Sequence, residues 1–373
     1  VKERTGQLSC EDNNRDDFIT MGLIPMSFLP AKLTGTTVKA SVVIIAAALQ
    51  LLTNRRAFCG ELPADPSAGI APNAFAPVAK GTGFAMDGYF VWCGSVIKVG
   101  DMYEMFASRW PASTRFPEGY RQHSEIVRAQ ASKPEGPYVF KEVVIGKRDA
   151  GKWDSAMAHN PAIYQAGGTF VLFYIGSDVR STHRQIGIAT APSVAGPWTR
   201  RDKPLELGLD VDANNPAAWF EPDGSVKLVW RTVDLRVCES VARSFEGPYT
   251  LANKNLWPTA KVEDFFMFKR RGTYHLICED NAGKLTGHDR KWGGHLVSDN
   301  GTTNWRAAQQ PVAYDDTIHW SDGTDFKPVR RERPWLLIDD GKITCLFTAV
   351  FDGKKTWNQP VPLSTPLDVD QTQ

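Results

Sequence analysis

From residue 86 onward the chain is written in short runs that alternate apolar and polar positions, and each pair of runs is separated by a charged or glycine-containing turn. The stretch KVEDFFMFKRRGTYHLICED at 261–280 is the clearest example. An acidic pair, Glu263 and Asp264, leads into an aromatic-rich strand, a turn follows at 270–272, and Tyr274, Leu276 and Cys278 share one face of a second strand. A charged, Gly-containing tip fits a hairpin. The same plan recurs at 86–110, 159–177, 214–231 and 331–350, with Gly-Asp, Gly-Gly, Pro-Asp-Gly and Asp-Asp-Gly turns. Between these hairpins lie secondary ones: 128–138, 189–198 and 241–249 end in Gly-Pro-aromatic, and 298–305 is a fourth version. Each unit therefore holds about four strands, and radial repetition of four-stranded sheets is the plan of a propeller. A β-sandwich would not require five similar blocks, and convincing amphipathic helices are absent. The reading is all-β: a five-bladed β-propeller over 77–373, preceded by a short N-terminal signal or anchor segment and an arm.

The first seventy residues follow a different pattern. Residues 1–20 are polar and acidic without apolar periodicity. Lys32 and Lys39 then precede an apolar run at 40–52, the mark of a secretory signal peptide. That run is shorter than the roughly 20 residues a spanning helix needs, although Arg55 and Arg56 behind it are unusual near a cleavage site. The expected division is 1–60 as upstream tail and signal peptide, with a membrane anchor or a buried helix as the alternatives, and 61–76 as a Pro/Ala-rich linker or wrapping arm. The corresponding localisation is secreted or periplasmic, with no stable membrane partner once the signal is cleaved.

Charge and cysteine content narrow the function classes. With 43 basic and 42 acidic residues the net charge is +1, which gives no support for nucleic-acid binding. The cysteines at 93, 238, 278 and 345 lie singly inside apparent strands with no metal-ligand spacing, so they read as small core residues, and one disulfide among them stays open. No P-loop, dinucleotide fingerprint or nucleophile elbow stands in a convincing context.

In a propeller the innermost strands converge, so residues at their starts meet at one mouth. Here these are Asp87, His159 with Asn160, Asn214 with Asn215, Glu263 with Asp264, and Arg331 with Glu332. Carboxylates converging in a funnel suit glycoside hydrolysis, in which one activates water and the other protonates the leaving oxygen. The acid must hold its proton near neutral pH through burial or a neighbouring negative charge. Asp264 beside Glu263 offers such a neighbour.

On these motifs the region 76–348 resembles the five-bladed propeller glycosidases such as glycoside hydrolase family 43. The resemblance implies Asp87 as general base and Glu263 as general acid. Blades two and three carry Asn160-Pro161 and Asn215-Pro216 where that group has Asp-Pro, so the acid that tunes the proton donor falls on Asn215, and Asp212, Asp264 or Glu332 would have to supply its charge. Related neoagarooligosaccharide-cleaving propellers place a His in an acid role, which keeps His159, His275 and His319 open. Some relatives also hold a central Ca²⁺; the two-carboxylate chemistry itself requires no cofactor.

Around this pair the expected carbohydrate contacts are Trp92 and Trp110 by stacking, with His159, Asn160, Asn215, Asp264 and Glu332 by hydrogen bonds. Asn before Pro also initiates turns, Glu332 between Arg331 and Arg333 also reads as an ion pair, and most tryptophans of a propeller are core. Arg109 and Arg231 end second strands, and an Arg at a sugar site suits a carboxylated or sulfated substrate, although structural Arg–carboxylate pairs are commoner. The expected activity is inverting hydrolysis of an oligosaccharide or side-branch sugar. The alternatives are a non-catalytic carbohydrate-binding propeller and a glycoside phosphorylase, which would need a cationic pocket for phosphate.

Overall fold

The computed structural model describes residues 65–370 other than 66, 180–182 and 289–290. The expected tail and signal segment lie outside the described residues.

Five antiparallel sheets follow one another along the chain, each built as a meander. Blade one is β1 (Tyr89–Val99), β2 (Met102–Pro111), β3 (Glu125–Ala131) and β4 (Val139–Ile145). Blade two is β5 (Met157–Ala166), β6 (Thr169–Ser177), β7 (Gln185–Ala191) and β8 (Thr199–Arg200). Blade three is β9 (Asn214–Phe220), β10 (Val226–Arg231), β11 (Val237–Ala242) and β12 (Thr250–Asn253). Blade four is β13 (Val262–Arg270), β14 (Thr273–Asp280), β15 (Gly293–Ser298) and β16 (Arg306–Tyr314). A small hairpin, β17 (Ile318–His319) and β18 (Asp325–Phe326), precedes blade five: β19 (Arg330–Asp339), β20 (Lys342–Phe351) and β21 (Thr356–Asp368). The inner strands β1, β5, β9, β13 and β19 pack in succession and β19 returns to β1, which closes a ring of five. Inner strands are covered on both faces by neighbouring blades, so β9 is buried throughout, including Asn214 and Asn215.

The Gly-Pro-aromatic motifs explain part of the blade-to-blade packing. At Gly136, Gly196 and Gly247 the backbone is left-handed and the following proline is cis. Two of the aromatics that follow reach an adjacent blade: Tyr138 meets Phe347 at 6.1 Å, and Trp198 meets Phe106 at 5.5 Å. The segment before β1 completes blade five. Ala76 N–H donates to Pro362 O at 2.8 Å, and Phe84 exchanges backbone hydrogen bonds with Asn358 at 3.0 and 2.9 Å. Gly83 joins this seam to blade one, donating to Glu135 O at 2.8 Å and accepting from Tyr138 N at 2.9 Å. Cys93, Cys238, Cys278 and Cys345 are all free and buried.

Candidate active site

Each inner strand is interrupted near its start by a β-bulge, and each bulge holds a non-glycine residue at positive φ: Cys93 (56°), Asn160 (53°), Asn215 (54°), Asp264 (58°) and Arg333 (62°). Asn and Asp tolerate this left-handed region better than other non-glycine residues; Cys and Arg there carry strain of about 1 kcal/mol or more. Bulges re-aim side chains, and these five line one cavity of about 40 Å³ at the propeller axis. Cys93 Sγ donates to Asn160 Oδ1 at 2.9 Å, Asn215 Nδ2 donates to Asp264 Oδ1, and Arg333 Nη1 pairs with the same oxygen at 2.5 Å. Burial pushes the Cys93 thiol up to about 12, so it stays protonated.

A carboxylate cluster adjoins this ring. Oxygens of Asp264, Glu279 and Glu332 all lie within 4.8 Å of one another. An ammonium also stands among them: Lys291 Nζ lies 2.6 Å from Glu279, 3.6 Å from Glu263 and 3.7 Å from Glu332. Arg231 Nη2 reaches Glu263 Oε2 at 2.7 Å. Like charges this close, deprived of water, cannot all ionise. Burial pushes Asp264 up to about 7, helped by Glu263 and Glu332 and opposed by Arg333. Burial also holds Glu279 well above its usual value, with Glu332 and Asp264 adding to the effect. Burial alone would raise Glu263 as well, but Arg231, Arg333 and Lys291 outweigh it and keep its carboxyl below 4.5. Side-chain exposure falls from Lys291 (44%) through Glu263 (15%) and Glu332 (8%) to Glu279 (1%). Glu263 and Glu332 therefore stand nearest solvent, with the proton-holding groups behind them.

The far side of the mouth is aromatic. Phe116, in the loop between β2 and β3, stacks on Trp110 at 5.9 Å and on Phe351 at 4.2 Å. Trp92 and Trp110 are buried in this cluster, so their faces are covered by protein, whereas Phe116, Tyr120 and Phe351 are partly exposed. His159 is buried, held by Ser124 Oγ at 2.8 Å and stacked on Tyr120 at 4.5 Å. Burial, with Arg333 and Arg184, pulls its pKa well below 6.5, so it stays neutral. His275 bonds His295 inside blade four, and exposed His319 pairs with Asp325 at 2.7 Å in the β17–β18 hairpin. Asp212 pairs with His183 at 2.5 Å and with Arg184 at 3.4 Å. Arg109 is spent on Glu125 at 2.8 Å and lies over the Tyr89 ring.

Asn160, Asn215 and Asp264 are thus brought into one ring, with Glu263 and Glu332 beside it. Asp87 is not: it is exposed in the turn that precedes β1. The blade-one position that matches Asn160 and Asn215 in geometry is Cys93, further along the same strand. The sequence reading also missed Glu279, Lys291 and Arg333. The Glu332–Arg333 dipeptide was visible as a charged run, but Glu279 and Lys291 carried no local signal.

Five blades about a closed ring, with an acid-rich mouth at the starts of the inner strands, define a five-bladed β-propeller with a candidate catalytic funnel. No family model and no curated protein matches the sequence. Solved structures do match in fold. A family 117 glycoside hydrolase from the marine bacterium Zobellia galactanivorans superposes with a TM-score of 0.59 at 15% identity, covering 82% of this chain and 94% of that one. The α-L-arabinofuranosidase of Podospora anserina gives 0.56 at 13% identity over 79% and 99%. A family-43 β-xylosidase/α-arabinofuranosidase from a compost microbial metagenome gives 0.55 at 13% identity over 80% and 97%.

Proposed function

We propose that the chain is a glycoside hydrolase acting on an oligosaccharide or side-branch sugar at the mouth formed by blades three, four and five. The observation that carries this reading is the separation of protonation states within one cluster, an ionised Glu263 beside carboxyls that hold protons. Groups whose surroundings push their pKa values apart mark the base and the acid. Glu263, kept anionic by its three cations, removes a proton from the attacking water. Asp264 and Glu279 hold the proton, and Glu332, their solvent-side neighbour, relays it to the leaving oxygen. Water oxygen bonds the anomeric carbon as the glycosidic C–O bond breaks, which releases a hemiacetal and an alcohol. Phe116 and Tyr120 offer ring faces for the sugar. The acid role expected of Glu263 is thereby reassigned to Glu332, and the base role of Asp87 passes to Glu263. The solved fold neighbours, which include an arabinofuranosidase, a xylosidase and an exo-β-1,3-galactanase, favour a carbohydrate substrate.

The test is product analysis against a panel of plant and algal oligosaccharides, with proton NMR to read the anomer released; inversion is expected. Glu263→Gln and Glu332→Gln should each lower kcat/KM by about 10²–10⁴-fold, and Asp87→Asn should leave it unchanged. Full activity in both Gln variants sinks the assignment. A second reading, a non-catalytic carbohydrate-binding propeller, is favoured by Cys93 and Asn215, neither of which supplies a negative charge. Saccharide bound by the wild type and recovered intact would establish it.

A further inference from the structure

On the blade-five side of the mouth, two cations from separate segments converge on one carboxylate. Lys291 comes from the loop between β14 and β15, and Arg330 opens β19. Lys291 Nζ and Arg330 Nη1 each stand 3.7 Å from Glu332 Oε1, beyond hydrogen-bonding reach. Their side chains are 44% and 40% exposed. Both line a cavity of about 310 Å³ that Glu332 shares. The Arg330 guanidinium lies 5.6 Å over the Phe116 ring, and Phe116 is itself stacked on Phe351. An ordinary surface ion pair would draw Arg330 down onto Glu332; here the planar cation is held on an aromatic face with donors left for another acceptor.

We propose that Lys291 and Arg330 form an oxyanion-binding subsite beside Glu332. This deepens the hydrolase reading and rests on it for the identity of the mouth. The oxyanion has two chemical sources, a carboxylate carried by a uronic acid unit of the saccharide or free inorganic phosphate. In the second case a phosphate oxygen bonds the anomeric carbon, the glycosidic bond breaks, the leaving oxygen takes the proton from Glu332, and the product is a sugar 1-phosphate. Planar, bidentate recognition by Arg suits both.

The experiment is calorimetric titration of the wild-type chain and of Arg330→Gln with glucuronate, inorganic phosphate and, as neutral control, glucose. At least one oxyanion should bind the wild type about tenfold or more tightly than glucose, and Arg330→Gln should lose about tenfold or more of that binding. Arg330 is a surface residue, and an unchanged urea midpoint certifies the fold of the variant. Turnover then separates the sources: faster cleavage of a uronate-terminated than of a matched neutral oligosaccharide identifies the sugar carboxylate, and phosphate-dependent release of sugar 1-phosphate identifies phosphate. Oxyanions that bind no better than glucose, or equally to Arg330→Gln, overturn the subsite. Oxyanion binding that survives a complete absence of turnover upholds the subsite and removes the hydrolase reading instead.

Discussion

Replacing Asp264 with Asn tests the electrostatics of the mouth without altering its shape. Asn is nearly isosteric with a protonated Asp, and Asp264 is held from 3.8 up to about 7 in the folded chain. The unfolded carboxyl ionises near its usual value, while the folded one keeps its proton for about three further pH units. Across that interval the native state binds more protons, so stability falls as pH rises. It levels off above about pH 7, where both states are ionised. At 1.36 kcal/mol per unit the loss from this group is about 4 kcal/mol between pH 4 and 7. The amide that replaces the carboxyl in Asp264→Asn cannot titrate. The advantage of wild type over Asp264→Asn should therefore be greatest near pH 4 and shrink steadily towards pH 7. The assay is urea unfolding followed by tryptophan fluorescence at half-unit steps from pH 4 to 8, with the difference between the two chains plotted against pH. Parallel profiles would refute the reasoning, because they would mean that Asp264 ionises alike in both states and that the cluster stores no proton there.

Three further outcomes follow from named contacts. Lys291→Met removes one of the three cations that keep Glu263 ionised; the acid limb of kcat/KM should move up by roughly one pH unit, and Lys291→Arg should bring it back. His295 accepts the Ile70 N–H at 3.1 Å through Nδ1 and bonds His275 through Nε2 at 2.9 Å, and burial holds it neutral with its pKa well below 6.5. The unfolded chain takes up that proton as pH falls through about 6.5, so stability should be full above that value and decline below it; an unfolding midpoint in His295→Gln that keeps the same acid-side decline would contradict this. Gly83 and Gly81 both have left-handed backbones, but a Cβ on Gly83 would stand 2.0 Å from Asn358 O while one on Gly81 meets nothing within 4 Å. Gly83→Ala should cost about 2–4 kcal/mol by prising open the seam that closes the ring, and Gly81→Ala only about 1 kcal/mol, as thermal unfolding will show.

The five hairpins were legible because each inner strand and its partner are local in sequence and share a turn, so the alternation of side chains and the turn residues carry the architecture. The site was less legible, and the reason is the bulges. In blade four the ladder runs from Arg270 opposite Thr273 to Phe266 opposite Ile277. Continued without interruption, it would set Glu263 against Asp280. The bulge at Asp264 shifts the register by one residue, which sets Glu263 against Glu279 instead. A one-residue shift exchanges the faces of a strand. Glu263 is thereby turned to the face of its partner Glu279, beside the carboxylate cluster, while Asp280 accepts the N–H groups of Leu285 and Thr286, each at 2.8 Å, and orders the loop from which Lys291 returns. In blade one the same kind of bulge places Cys93 on the axis and leaves Asp87 in the preceding turn. Counting residues from the turn cannot find these positions, because the interruption belongs to the way five strands crowd one axis and not to any single strand. The positive φ values mark where it happens: Asn160, Asn215 and Asp264 are residue types that tolerate such a backbone, whereas Cys93 and Arg333 are strained there. Of these two, Arg333 has an evident return, its pairing with Asp264. Cys93 gives its hydrogen bond to Asn160 and adds no charge, and the clustered carboxylates Glu263, Asp264, Glu279 and Glu332 come from blades four and five, where Lys291 reaches three of them from a single loop.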